Sequence, residues 1–249
     1  MTSIDGGTLA VIPARAGSKG IPGKNLKKMH DVSLVEWALK FCEEAGFTHY
    51  CLSSNSPEIL EIGMSYPNCI VRVRPEELAL DETIDRPVLQ DAMTFCEKKV
   101  SLEFRRLVML QPTAPGRTIE DLNRGLALHD NSGNPLASSV WAVEKVHPKY
   151  HPSKQVFLDE LSGNMLVERS RKLPPRRQDL SETYVRNGEF YIMGRDVILS
   201  DDYLIGSSLS IVECRHQTLN IDNEEDFRLA TLALRRDGQK YLKRTEREE

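Results

Sequence analysis

The stretch from Thr8 to Asn25 reads TLAVIPARAGSKGIPGKN. Thr8 to Pro13 is a short apolar run, and the residues after it are rich in glycine and positive charge, the form of a buried strand opening onto a binding loop. Between Asp5 and Asp31 the chain has no acidic residue, whereas Arg15, Lys19, Lys24, Lys27 and Lys28 all fall there. Gly17, Gly20 and Gly23 let backbone amides come close to an anion, and each charge-assisted hydrogen bond to it contributes roughly 1.5–3 kcal/mol. Phosphate is the natural counterpart of such a loop. Two familiar phosphate loops are excluded. A Walker loop needs four residues between its glycines and Ser or Thr after the lysine, whereas five residues separate Gly17 from Gly23 and Asn25 follows Lys24. A dinucleotide fingerprint needs G-x-G-x-x-G running into a helix, but these three glycines are evenly spaced and Lys24-Asn25-Leu26 leads into more loop.

Outward from the loop, helices and strands alternate. Leu34, Trp37, Ala38, Phe41, Cys42 and Ala45 recur at helical spacing until Gly46. The pattern predicts strands at Tyr50–Leu52, Cys69–Val73, Leu107–Leu110 and Leu136–Val143. It places helices at Ile59–Met64, after Pro87, and after Thr118, which caps its helix together with Asp121. Two more strands, Glu189–Met193 and Leu209–Val212, precede a helix opened by Asn223. The expected fold is α/β, a Rossmann-like, mostly parallel sheet flanked by helices, with ligands at the carboxyl ends of its strands. From Glu144 to Arg186 prolines and charges interrupt the pattern, which marks an excursion from the sheet. The tail from Arg235 to Glu249 reads as a solvated terminus.

With 249 residues, of which 40% are hydrophobic, a single domain spanning 1–249 is expected. A net charge of −4 with both signs interspersed argues against a general binder of nucleic acid or membrane surface. There is no run of eighteen apolar residues and no basic segment followed by an apolar stretch at the start, so a cytoplasmic protein is expected. Cys42, Cys51, Cys69, Cys96 and Cys214 are odd in number and widely spaced, which reads as reduced core thiols. His147, His151 and His216 read as surface or loop residues.

The segments IPARAGSKGIPGKNL, RPEELALD, LQPTAPGR, RNGEFYI and NIDNEEDF, in this order, resemble the acylneuraminate cytidylyltransferases, the CMP-sialic acid synthetases, from about Leu9 to Ala233. The resemblance implies a nucleotide-diphospho-sugar transferase fold and transfer of CMP from CTP to a nonulosonic, sialic-acid-like sugar acid. It further implies that the excursion, 144–186, pairs two subunits in a homodimer and contributes to acceptor binding. By the same resemblance Arg15, Ser18, Lys24 and Asn25 hold the triphosphate, with Arg15 and Lys24 stabilising charge on departing pyrophosphate, and Arg74 helps to hold the nucleotide. Arg177 corresponds to an acceptor-binding arginine, and Gln111, Asn187 and Tyr191 to positions in the acceptor pocket.

Family members carry D-I-D for magnesium where this chain has Asn220-Ile221-Asp222. Asp222 is the expected main ligand of Mg2+, or of another divalent cation such as Mn2+, and Asn220 a weak or water-mediated one. Treated as a strand, the triplet sends both side chains to the same face. Two further departures concern the base and the acceptor: Asp81-Glu82-Thr83 stands where the family commonly has D-T-A, and Val185 replaces an arginine, with Arg186 beside it. No histidine falls in a matched motif, so no side-chain base is assigned. The alternatives are a Kdo-type or other sugar nucleotidyltransferase, and a CTP-binding regulatory module without turnover.

Overall fold

The computed structural model describes residues 4–17, 20–155, 157–158, 165–166, 180–200, 204–214, 216 and 218–234. Its main sheet has seven strands: β1 (Thr8–Pro13), β2 (His49–Ser54), β3 (Cys69–Val73), β4 (Arg106–Met109), β5 (Ser138–Lys145), β6 (Tyr184–Gly194) and β7 (Ser208–Glu213). They lie in the order β7-β5-β6-β4-β1-β2-β3. All neighbours are parallel except β6, which runs antiparallel to both β4 and β5. The chain works outward from β1 through β2 to β3 and then crosses to β4 on the other side of β1. The loop after β1 therefore leaves at the point where the strand order reverses, the usual crevice for a ligand.

The two faces of the sheet explain the apolar runs. Ala10 and Ile12 point into one core with Val35, Leu39 and Phe41 of α1 (Leu34–Ala45) and Leu122 of α4 (Ile119–Asp130). Leu9 and Val11 point the other way, into a core with Leu89, Met93 and Cys96 of α3 (Asp85–Val100) and Val197 of α5 (Arg195–Leu199). A parallel strand covered on both faces has no polar side to alternate with. α2 (Pro57–Met64) packs beside β2 and β3 and completes one helical layer.

The predicted termini coincide with capping geometry. Ser33 and Glu36 form a reciprocal capping box at the start of α1, and Gly46 ends it in the left-handed conformation at φ 79°. Thr118 caps α4 by accepting from the Asp121 amide, and Asn223 and Asp226 form a capping box for α6 (Glu224–Ala233). The excursion begins later and ends earlier than its expected limits, because β5 extends to Lys145 and β6 starts at Tyr184. Within it Phe157–Leu158 pairs with Met165–Leu166. The tail from Arg235 lies outside the described residues.

All five cysteines are free; four are buried and Cys69 is partly so. Among the described residues no helix is long and apolar enough to cross a membrane.

Candidate active site

A third, smaller core fixes where the glycine-rich loop goes. Ile21 of the loop, Met29, Leu34 and Trp37 pack with Leu219, Ile221, Ala230 and Leu234 from the end of the described chain. Burial of these side chains draws the segment Asn220-Ile221-Asp222 onto the loop. Lys24 Nζ donates to the Ile221 carbonyl at 2.7 Å and lies 3.6 Å from Asp222 Oδ1. The Ile221 amide donates to the Thr113 carbonyl at 2.9 Å, so the first motif, LQPT and NID meet at one residue. Gly20 backs directly onto this segment, and a Cβ there would overlap the Asp222 carbonyl oxygen. The triplet is not part of a strand. Asn220 and Asp222 nevertheless share a face, with Asn220 Nδ2 donating to Asp222 Oδ2 at 3.4 Å and Ile221 buried between them.

The positive charge that is isolated in the sequence is balanced in space. Arg15 donates to Asp81 at 2.5 Å, Lys24 faces Asp222, and Lys27 pairs with Glu224. Asn25 donates through Nδ2 to the Arg15 carbonyl at 3.0 Å and so holds the loop closed on itself. Arg74 is buried, donating to Ser53 Oγ and to the Ser53 carbonyl, and burial lowers it to about 10, opposed by nearby Asp85. Ser18 and Arg177 lie outside the described residues.

A cavity of about 450 Å³ runs from Lys24, Asn220 and Asp222 past Gln111 and Gly188 to Arg186, Trp141, Tyr191 and Asp85. Of the residues predicted from sequence, it gathers Lys24, Gln111, Tyr191, Asn220 and Asp222 on its walls. Asn187 is buried behind the wall, its Oδ1 accepting from the Glu189 amide at 3.1 Å. Strand geometry explains the wall formed by β6. Arg186 pairs with Val143 and Tyr191 with Trp141, so Asn187 to Phe190 stand opposite a single residue, Ala142. Residues five apart on a regular strand face opposite sides; the bulge turns Arg186 and Tyr191 toward the same cavity. At its apex Gly188 has φ 79°, and a Cβ there would come within 2.7 Å of Gln111 Oε1. Val185 remains outside, half exposed, while the Arg186 guanidinium sits 5.2 Å from the centre of the Trp141 ring.

Sequence reading missed Asp85, Trp141 and the orientation of Arg186. Desolvation raises the Asp85 carboxyl above its usual range, against the pull of Arg186 and Arg74. Two histidines lie in loops, as read, but are more enclosed than a surface position. His151 is buried, and His216 Nε2 lies 2.7 Å from Glu189 Oε1 while its Nδ1 lies 3.2 Å from Asp121 Oδ2. Burial alone would lower His216, but the two carboxylates outweigh it and hold the ring protonated up to about 10. Burial would likewise raise Asp121, yet hydrogen bonds from His216, Arg124 and Thr118 bring it down to about 2. Asp121, Glu189 and His216 are close enough together to bracket a cation. Both imidazole nitrogens are committed to carboxylates, however, which makes an imidazolium bridge and leaves no lone pair for a metal.

The donors at the other end do suit a divalent ion. Asp222 offers an exposed carboxylate and Asn220 a neutral amide oxygen, at the mouth of a cavity with space for water and phosphate. Magnesium binds through one or two carboxylates and keeps several waters.

Comparison with known proteins agrees with this construction. The family model described as cytidylyltransferase matches residues 9–230. The chain is 30% identical over 235 residues to a CMP-N,N'-diacetyllegionaminic acid synthase of Legionella pneumophila, covering 89% of this chain and 93% of that protein. It is 26% identical over 230 residues to the post-translational flagellin modification protein B of Campylobacter coli, covering 91% and 94%. Among solved structures, a CMP:2-keto-3-deoxy-manno-octonic acid synthetase complexed with CTP superposes with a TM-score of 0.64 at 16% identity, covering 90% of this chain and 97% of that one. That likeness extends to the fold.

Proposed function

The chain belongs to the cytidylyltransferase family, and we propose that it transfers CMP from CTP to the anomeric hydroxyl of a nonulosonic, sialic-acid-like sugar acid, releasing pyrophosphate. The observation that carries this reading is the continuous cavity, with a lysine and a carboxylate at one end and a guanidinium over an aromatic ring at the other. A triphosphate and an acidic sugar need those two ends. The name of the Legionella pneumophila relative supports the acceptor class.

Arg15, Lys24 and Asn25, with Ser18, hold the triphosphate. The ion pairs of Arg15 with Asp81 and Lys24 with Asp222 are partly exposed, and a polyphosphate of higher charge displaces the carboxylates. Arg74 supports the nucleotide from below, through the Ser53 backbone at the end of β2. Gln111 and Tyr191 orient the acceptor, while Arg186 and Arg177 take its carboxylate. The hydroxyl oxygen forms a bond to the α-phosphorus as the bond to the pyrophosphate oxygen breaks, and the hydroxyl proton passes to solvent. Positioning and charge neutralisation by Arg15 and Lys24 dominate the acceleration. Asp222, with Asn220, would hold Mg2+ or Mn2+, which when bound neutralises charge at the α-phosphate.

In this reading the protein works in the cytoplasm as a homodimer of single-domain subunits, joined through the excursion between β5 and β6. The test is pyrophosphate release from CTP with N-acetylneuraminate, Kdn, legionaminate, pseudaminate and Kdo. Release with one or more of the first four supports the assignment. Release confined to Kdo replaces it with a Kdo-type transferase.

A further inference from the structure

The segment that carries Asn220 and Asp222 has no regular structure of its own, so something else must hold it in place. Its upstream half is tied down by side chains that the transfer reaction does not use. The Cys214 amide donates to the Val143 carbonyl at 2.9 Å and its thiol to Glu189 Oε2 at 3.3 Å. His216 spans Glu189 of β6 and Asp121 of α4, both buried. Thr218 donates to Glu144 at the end of β5. Glu189 lies next to Gly188 of the cavity wall, and its carbonyl accepts from Arg117, which also donates to the Gln111 carbonyl. The clamp thus joins the metal-bearing segment to the backbone that shapes the acceptor wall.

We propose that His216 is a positioning residue for the divalent cation: by bridging Asp121 and Glu189 it anchors the approach to residues 218–222 so that Asp222 and Asn220 present their oxygens to the cavity. This rests on the reading of Asp222 as a metal ligand. A rigid bridge lowers the ordering that the ion must impose on a chain segment before it is held. The cost of losing it falls on metal affinity, with the chemistry at saturating metal preserved.

The experiment compares the full-length protein with His216→Asn, Thr218→Val and Glu97→Gln. The last breaks a partly buried ion pair, Glu97 with Arg195, neither of which lines the cavity. Two readouts are taken: the magnesium concentration giving half-maximal pyrophosphate release, and Mn2+ binding in the presence of CTP by electron paramagnetic resonance. His216→Asn is expected to raise the half-maximal magnesium concentration about tenfold, the order seen when groups supporting metal ligands are removed, with kcat at saturating magnesium within about threefold of wild type. It weakens Mn2+ binding by a similar factor. Thr218→Val shifts both in the same direction by less, and Glu97→Gln lowers the melting temperature without moving either.

An unchanged metal response in folded His216→Asn overturns the proposal, as does an equal shift in Glu97→Gln. Should His216→Asn fail to fold, an unchanged Thr218→Val overturns it. If wild type releases no pyrophosphate with any acid, the functional reading fails, and the Mn2+ measurement alone decides on the clamp.

Discussion

Lys24 and Tyr191 reach one cavity from different kinds of backbone. Lys24 sits in the loop that directly follows a fully paired parallel strand, sixteen residues of chain from Thr8. Tyr191 sits on β6, the antiparallel strand, just past a bulge. The Lys24 end is therefore set by local chain and a small core beneath it. The Tyr191 end is set by pairing between segments distant in sequence, where a change of one residue in register exchanges the side chains that face the cavity. Under the proposed function, donor chemistry can stay fixed on such a frame while acceptor choice varies.

The sharpest way to break this comparison is Arg15→Ala. A cation aimed at charge developing in the transition state supports about 10²–10³ in kcat, and that loss is expected here. Its partner Asp81 is half exposed, so the melting temperature stays within a degree or two. A large melting shift would mean that the loop contributes to stability rather than to turnover. Asp222→Asn comes next, with an expected loss of about 10–100-fold in magnesium affinity, read from rate against magnesium concentration. Unchanged metal dependence would move the metal site elsewhere.

At the Tyr191 end, Arg186→Ala should remove the proposed contact with the acceptor carboxylate, raising the KM for the sugar acid about tenfold while that for CTP is unchanged. If both rise together, the two ends are not separable. The slowest and smallest trend concerns pH. His216 is held protonated to about 10, against an ordinary value of 6.5. Its added stability is complete below pH 6.5 and is lost as pH rises toward 10; Asp121 and Glu189 face the ring, and Arg124 and Cys214 bond to those two carboxylates in turn. The difference in unfolding free energy between wild type and His216→Asn should narrow across that window. A difference that is flat with pH would mean that the ring acts by packing alone.

Much of the fold was legible because it depends on short-range signals. Strands β1 and β3 begin and end where their apolar runs do, and Ser33, Gly46, Thr118 and Asn223 punctuate helices through capping chemistry that needs only neighbouring residues. The loop was legible as a concentration of charge. Its balancing acids were not, since Asp81, Asp222 and Glu224 arrive from elsewhere in the chain. The placement of Arg186 on the cavity wall was hidden by the bulge, which upsets the period-two count that reading a strand depends on. His216 was hidden because its partners, Asp121 and Glu189, are 95 and 27 positions away. A lone histidine in a loop carries no sign of them.

The free cysteines have a practical corollary. Burial raises Cys42, Cys69 and Cys214, with Cys69 pushed up to about 12, and Cys51 is raised by its contact with Cys96 together with burial. Reaction with a maleimide proceeds through the thiolate, so these four groups form a silent background at neutral pH, and Cys96 is fully buried out of a reagent's reach. A single cysteine placed at exposed Val185 could then carry a fluorophore beside Arg186, and acceptor binding could be followed optically without first removing any native thiol.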